Sequence, residues 1–293
     1  MPHRAEKKKK MNYNQQDIRA ALSAAGINAG SVAIVHASLW GLGMPDDIDA
    51  LHEMWLTALQ EQVGPKGAII LPAFSYSYCR HEVFNPKRTW STVNLLANHA
   101  LSNHLGYRTL DPNFSYVILP GAQVEAQVAA YKFSNVSFDL TPSVYDLACS
   151  LDPDAHLVSI RTAQELDLFT CRHYVEQEVK RPMRFIKKFS GETEIDGHKE
   201  TTDTFYNCRL LLPNTAFAME PNPNLTATLG KGGIYSVKVK DFIADFKAKI
   251  TADPWFELKG PALSPEEIAA QLAQETVCPP EEVVRTYRSA IKL

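Results

Sequence analysis

The chain has 293 residues, 45% hydrophobic, 10% aromatic and 22% charged. This ordinary globular usage excludes a disordered, collagen-like or disulfide-scaffold protein and allows one large domain or two modest ones. Thirty Lys and Arg against 33 Asp and Glu give a formal charge of -3, so no overall basic field exists to hold nucleic acid or an anionic membrane.

Residues 14–27 carry Ile18, Ala21, Leu22 and Ala25 at helical spacing, and Gly26 stops the pattern. Before them, the basic start through Lys7 to Lys10 has no apolar h-region behind it. It is read as a solvated terminus and not a signal peptide. Ser31 to His36 is a β-branched apolar run, read as a buried strand that ends in Ala37-Ser38-Leu39. Asp47 or Asp49 can cap a second helix carrying Leu51, Met54, Trp55, Ala58 and Leu59, which Gly64 closes. Gly67 to Pro72 is a second buried strand, so strand, helix and strand form a βαβ unit with a parallel sheet.

Beyond a loop rich in Tyr, Asn and Pro, a helix is expected near Val93 to Leu105, then a strand at Tyr116 to Leu119. Helices are expected at Val124 to Tyr131 and from Pro142, followed by a strand at Leu157 to Ile160. Around Asp196-Gly197 the pattern alternates, a strong hairpin signal within residues 187–207. Helices return at Val239–Ile250, Pro265–Glu275 and Pro280–Ile291. The fold class is therefore α/β. A central, mostly parallel sheet is flanked by helices, with an antiparallel hairpin insertion and a helical C-terminal tail. One α/β domain is expected over residues 11–260 and a helical extension over 261–293.

Five scattered cysteines (Cys79, Cys149, Cys171, Cys208, Cys278) form no CxxC pair, which reads as reduced thiols in a cytoplasmic protein. No apolar run approaches the ~20 residues of a membrane span.

The chemistry concentrates in Thr170 to Glu176. On a helix, Thr170, His173 and Glu176 fall at i, i+3 and i+6 along one ridge, so the carboxylate can orient the imidazole and raise its basicity. A neutral histidine is a natural proton acceptor near neutral pH. By itself the ridge also fits a surface histidine in a small ion pair. However, Val35 to Leu39 and Leu71 to Ser75 end the first two strands with one polarity, where open α/β sheets place ligands. Arg108 to Ser115 adds polar groups before another strand.

These segments together resemble the aminoglycoside 3-N-acetyltransferase family, over roughly residues 14 to 250. The matching stretches are His36-Ala37-Ser38-Leu39 and Gly64 through Phe74. Arg108-Thr109-Leu110-Asp111-Pro112-Asn113-Phe114-Ser115 with Gly121, and Thr170, His173 and Glu176 with Arg184 to Phe189 downstream, complete them. Asp111 stands where the family usually has His, and Ala37 replaces a Ser. Arg161 ends a strand where the family commonly has Gly.

The resemblance implies acetyl transfer from acetyl-CoA to a primary amine of an aminoglycoside or related amino sugar by direct attack. His173 would be the general base, Glu176 its orienting group and Thr170 a donor to the developing oxyanion. His36, Ser38, Leu39, Ser75, Arg108 and Ser115 would bind the coenzyme. Asp111, Asn113, Glu82 and Asp139 are candidates for the amine substrate, since a cationic sugar favours carboxylates. No metal, nucleic acid or membrane partner is expected, and a homodimer is compatible.

Competing readings are a Cys171–His173 thiol pair, a metal site and an inactive interaction protein. On a helix, i and i+2 project apart, and Gln177 stands where an HxxEH metal motif needs His. Arg161, if it faces the pocket, would suit a nucleotide-linked or polysaccharide amino sugar better than a polycation.

Overall fold

A computed structural model describes residues 13–293 apart from Met44 and Asp49. The basic start and Asp49 lie outside the described residues. In chain order the elements are α1 (Gln15–Ala24), β1 (Val32–Ala37), α2 (Leu51–Val63), β2 (Ala68–Pro72), α3 (Leu95–Ser102), β3 (Tyr107–Arg108), β4 (Tyr116–Pro120), α4 (Glu125–Ala130), β5 (Lys132–Ser134), β6 (Val136–Ser137) and α5 (Val144–Leu151). The second half adds β7 (His156–Arg161), α6 (Cys171–Glu178), β8 (Arg184–Ile195), β9 (His198–Arg209), β10 (Ala227–Leu229), β11 (Gly232–Lys238), α7 (Val239–Ala252), α8 (Pro265–Leu272), β12 (Tyr287–Ser289) and β13 (Ile291–Lys292).

The fold is mixed α/β, a large central sheet flanked by helices. Its eight strands run β10-β11-β7-β1-β2-β4-β3-β13. The parallel pairing expected from the βαβ unit holds at the centre, where β1 lies between β2 and β7. Outside those three strands every neighbour is antiparallel. Alternate residues of the buried strands feed two cores. Ala33, Val35, Ile69, Leu71, Val158 and Ile160 face α1, α2 and α3. Ile34, Ala68, Ile70, Ile118 and Leu157 face α5 and the start of α6. Both faces must be apolar, which is why these strands read as unbroken hydrophobic runs.

Asn14 caps α1 through its side chain. The cap position of α2 is Ala50 and not Asp47, which instead accepts from the Ala50 N–H at 3.1 Å ahead of the helix. Asp196 and Gly197 both take positive φ, 49° and 83°, closing the long β8–β9 ribbon in the two-residue turn such pairs favour. The ribbon also pairs with β6, so it is stitched to the domain.

The tail departs from expectation. In the last 30 residues the α-helix is Pro265–Leu272, and of the helix expected over Pro280–Ile291 there is only a single 3₁₀ turn at Pro280–Glu282. There β12 pairs with β5 and β13 pairs with β3, extending the central sheet by one edge strand. Val283, Val284, Tyr287 and Ile291 mimic a helical period, but they are β-branched or aromatic. The open edges of β3 and β5 supply backbone partners that local periodicity cannot anticipate.

Candidate active site

A cleft of about 540 Å³ opens at the carboxyl ends of the three parallel strands. His36, Ala37 and Ser38 line it from β1, Pro72 and Phe74 from β2, and Ser159, Ile160 and Arg161 from β7. Because β2 and β7 flank β1 on opposite sides, this is the crevice where a parallel sheet leaves room for a ligand. Thr170, Leu168, Tyr76 and Val93 complete mostly apolar walls with a few polar groups.

Thr170, at the start of α6, anchors a buried hydroxyl cluster. Its Oγ1 lies 3.3 Å from His36 Nε2 and 3.2 Å from both the Tyr116 and Tyr145 hydroxyls. If both tyrosines donate to Thr170, the threonine hydroxyl donates to His36 Nε2. The ring proton of His36 then sits on Nδ1, a buried atom with no hydrogen-bond partner among the described residues. Burial, only partly opposed by Asp167, depresses the His36 pKa to about 4, so its ring stays neutral at physiological pH.

One turn further along α6, His173 packs its ring 5.0 Å from Phe138 and 6.2 Å from Tyr206. Its side chain is 22% exposed. Nδ1 lies 3.3 Å from Glu176 Oε2 and 3.0 Å from Arg184 Nη2, while Nε2 has no hydrogen-bond partner among the described residues. Glu176 also accepts from Arg181 at 2.5 Å and from Arg184. Burial works against ionisation of Glu176, yet the His173 hydrogen bond and the charges of Arg184 and Arg181 hold its carboxyl far below the usual range.

This corrects the expected basicity of His173. Burial lowers its pKa, Glu176 opposes, and Arg184 and Arg209 lower it further; the net direction is down. The carboxylate braces the ring, but the two arginines consume its charge. The expected single ridge also divides, since Thr170 lines the cleft whereas His173 and Glu176 do not.

Several expected coenzyme contacts lie inside the fold. Leu39 belongs to the core. Ser75 donates to the Pro112 carbonyl at 2.9 Å, and Ser115 donates to that of Ala73 at 2.9 Å. Arg108 is wholly buried and fans its donors onto Ser115 Oγ and the carbonyls of Ala73, Pro86 and Thr89. It clamps the loop after β2 and does not reach the cleft. Arg108→Met should therefore leave those carbonyls unpaired and cost about 3 kcal/mol, measured by denaturant unfolding, with the KM for acetyl-CoA unchanged. A raised KM with normal stability would restore a binding role. Ser38 does line the cleft, donating to Glu165 at 2.5 Å.

Two of the three expected substrate carboxylates are already engaged, and none of the three lines the cleft. Asp111 accepts from the Asn113 and Phe114 N–H groups and from Ser137 Oγ, and burial raises its pKa against those bonds. Asp139 is buried and paired with Arg285 at 2.9 Å. Asn113 is buried, accepts from the Cys79 N–H and leaves Nδ2 without a hydrogen-bond partner among the described residues. Glu82 is exposed on a surface loop. Arg161 does reach the cleft wall, but Asp167 neutralises it at 2.5 and 3.0 Å. Cys171 is buried with its thiol pKa pushed well up, which removes the thiolate reading. Among the described residues, no group of three or more His, Cys, Asp or Glu is placed to hold a metal ion. No helix there is long and apolar enough to cross a membrane.

The family model for aminoglycoside 3-N-acetyltransferase matches residues 34–244, nearly three quarters of the chain. The chain belongs to this family. It is thus an acetyl-CoA-dependent N-acetyltransferase by family. No curated protein sequence matched. Among solved structures, the apoenzyme of aminoglycoside acetyltransferase AAC(3)-IVa is similar with a TM-score of 0.62 at 15% identity, covering 91% of this chain and 99% of that one. AAC-VIa bound to sisomicin gives 0.65 at 15% identity, covering 82% and 98%. AAC-IIIb in a binary complex with CoASH gives 0.61 at 17%, covering 86% and 99%. At such identities these likenesses establish a common fold, which the family's 3-N-acetyltransferases share with this chain over nearly their whole length.

Proposed function

We propose that this enzyme moves the acetyl group of acetyl-CoA onto a primary amine of an aminoglycoside-type amino sugar, with His173 Nε2 receiving the amine proton. The observation that carries this reading is a neutral imidazole with Nδ1 braced by a buried carboxylate and Nε2 free, one helical turn from a cleft-lining threonine. Acetyl-CoA supplies the thioester: the amine forms the new C–N bond, the C–S bond breaks, and coenzyme A leaves as the thiol.

Nδ1 meets both Glu176 Oε2, which accepts a ring N–H, and Arg184 Nη2, which can only donate; in the tautomer whose Nδ1–H donates to Glu176 the lone pair is at Nε2, the form a proton acceptor needs. Arg184, in contact with both groups, opposes a lasting positive charge on the ring, so the proton is handed on and not stored. Because the His173 pKa lies below 6.5, the acid limb of kcat against pH should also fall below 6.5, with the rate dropping as the pH decreases through it. A limb above 6.5 would contradict the assignment.

The cleft suits the coenzyme arm. Apolar walls fit a flexible chain, and the His36 ring forms part of them. His36→Ala should raise the KM for acetyl-CoA about tenfold, as the wall loses the ring and its hydrogen bond to Thr170, with a smaller effect on the amine KM.

A second acceptor class has its own support. Around His173, Arg181, Arg184 and Arg209 outnumber the single carboxylate of Glu176; of the three expected acids, Asp111 and Asp139 are already engaged and Glu82 does not line the cleft. This charge balance favours an amino sugar bearing an anionic group, such as a nucleotide-linked one. The deciding test is coenzyme-A release against a panel of aminoglycosides and nucleotide-linked amino sugars. Release with neither class would overturn the acetyl-transfer reading.

A further inference from the structure

The last fifteen residues lie beyond the stretch that matches the family, yet they are bound to the chain segment that covers His173. That segment runs from β5 to Phe138. The β12 strand pairs with β5 along residues 132–134. Next, Asn135 exchanges two hydrogen bonds with Thr286: its N–H reaches the Thr286 carbonyl at 3.0 Å, and its Oδ1 accepts the Thr286 N–H at 2.8 Å. Finally, Arg285 grips Asp139 with Nε at 2.9 Å and Nη2 at 3.4 Å.

Between these anchors stands Phe138, whose φ is 58°. A bulky residue in the left-handed region is held there only when its surroundings over-determine it. Its ring touches Phe114 at 5.1 Å, Phe74 at 6.0 Å, Tyr206 at 6.1 Å and the His173 imidazole at 5.0 Å. Asp139, the adjacent residue, is only 3% exposed and gives its second role to the Leu140 N–H, accepted at 2.9 Å. Its charge therefore depends on Arg285. An exposed ion pair would count for little, but this one neutralises a buried acid, whose loss of a partner is costly.

We propose that Arg285 is a positioning residue: through Asp139 it holds Phe138 against His173, so that the C-terminal segment sets the orientation and dryness of the imidazole. This rests on the reading of His173 as the proton acceptor. Without the guanidinium, Asp139 loses the partner that fixes its buried side chain, and the left-handed turn at Phe138 relaxes. The aromatic cover then leaves the ring. The charged and titratable groups facing His173 are Glu176 on its own helix, Arg181 just after it, Arg184 on β8, and Arg209 and Tyr206 on β9. None of these moves with Arg285, so hydration of the ring is the variable that changes.

The test is the pair Arg285→Ala and Arg285→Lys in the full chain, each with kcat, KM, a pH profile and an NMR titration of labelled His173. In Arg285→Ala, kcat should fall about tenfold or more, as small misplacements near reacting groups do, while the KM for acetyl-CoA holds. The His173 titration and the acid limb should both move up toward 6.5. Arg285→Lys restores the charge without the two-pronged grip and should recover only part of kcat. Phe138→Ala, which removes the cover directly, should shift the titration in the same direction. An unshifted His173 titration in both Arg285→Ala and Phe138→Ala overturns the proposal. A shifted titration with unchanged kcat upholds the contact and removes instead the reading of His173 as base.

Discussion

Replacement of His173 by alanine is expected to lower kcat by ~10²–10⁴, the usual contribution of a positioned general base. Nothing else near it can take over. Glu176 is held ionised but buried behind two arginines, with both carboxylate oxygens occupied. His36 is a poor base because burial depresses its pKa to about 4. The Tyr206 hydroxyl, with its pKa pushed up to about 12 by burial, holds its proton at neutral pH. The variant should fold, since the ring is partly exposed and a truncated side chain there removes contacts chiefly with Phe138 and Tyr206. Turnover within threefold of the parent enzyme would eliminate the assignment. A raised KM at unchanged kcat would instead make His173 a binding group.

Features of this fold that rest on local pattern are legible in the sequence, and those that depend on partners far along the chain are not. β1, β2 and β7 were visible as apolar runs because both sheet faces are covered, and the Asp196-Gly197 turn was visible because its dihedrals demand those residues. The pairing of His173 with Glu176 follows from helical spacing alone. What spacing could not supply is the competition for that carboxylate. Arg181 and Arg184 lie five and eight residues on from Glu176, and nothing in their sequence setting distinguishes a buried guanidinium from a solvated one. The cleft shows the same limit. Arg108 stands in a motif-like stretch and is expected to bind the coenzyme, but its partners are carbonyls from a loop that begins 35 residues earlier in the chain. Arg161 does face the cleft, with its charge already spent on Asp167 six residues later. The tail failed for another reason: its apolar period fits a helix, while the unpaired edges of β3 and β5 were waiting for a strand.

Removing the Glu176 carboxylate should be the most destabilising single change at this site. Glu176→Ala leaves two buried guanidiniums, those of Arg181 and Arg184, without their counter-charge, and stripping one partner from a buried pair costs about 3–5 kcal/mol. Arg181 keeps the carbonyls of Pro254 and Phe256, at 2.8 and 2.5 Å, so the helix end should stay docked while its charge goes uncompensated. Glu176→Gln retains an oxygen acceptor and the shape, so it should fold better than the alanine variant; it still loses kcat, because it can no longer stabilise a proton on His173. The pH dependence follows from the sign of the shift. The folded-state pKa of Glu176 is depressed below the unfolded value of roughly 4.3, so its contribution is present above that value and disappears as the pH falls below it toward the folded pKa. Denaturant unfolding of the parent enzyme should thus weaken progressively below about pH 5, and the Glu176→Gln variant should lose part of that acid sensitivity. Equal slopes of stability against pH in the two proteins would mean that this carboxylate is not the group that couples protonation to folding.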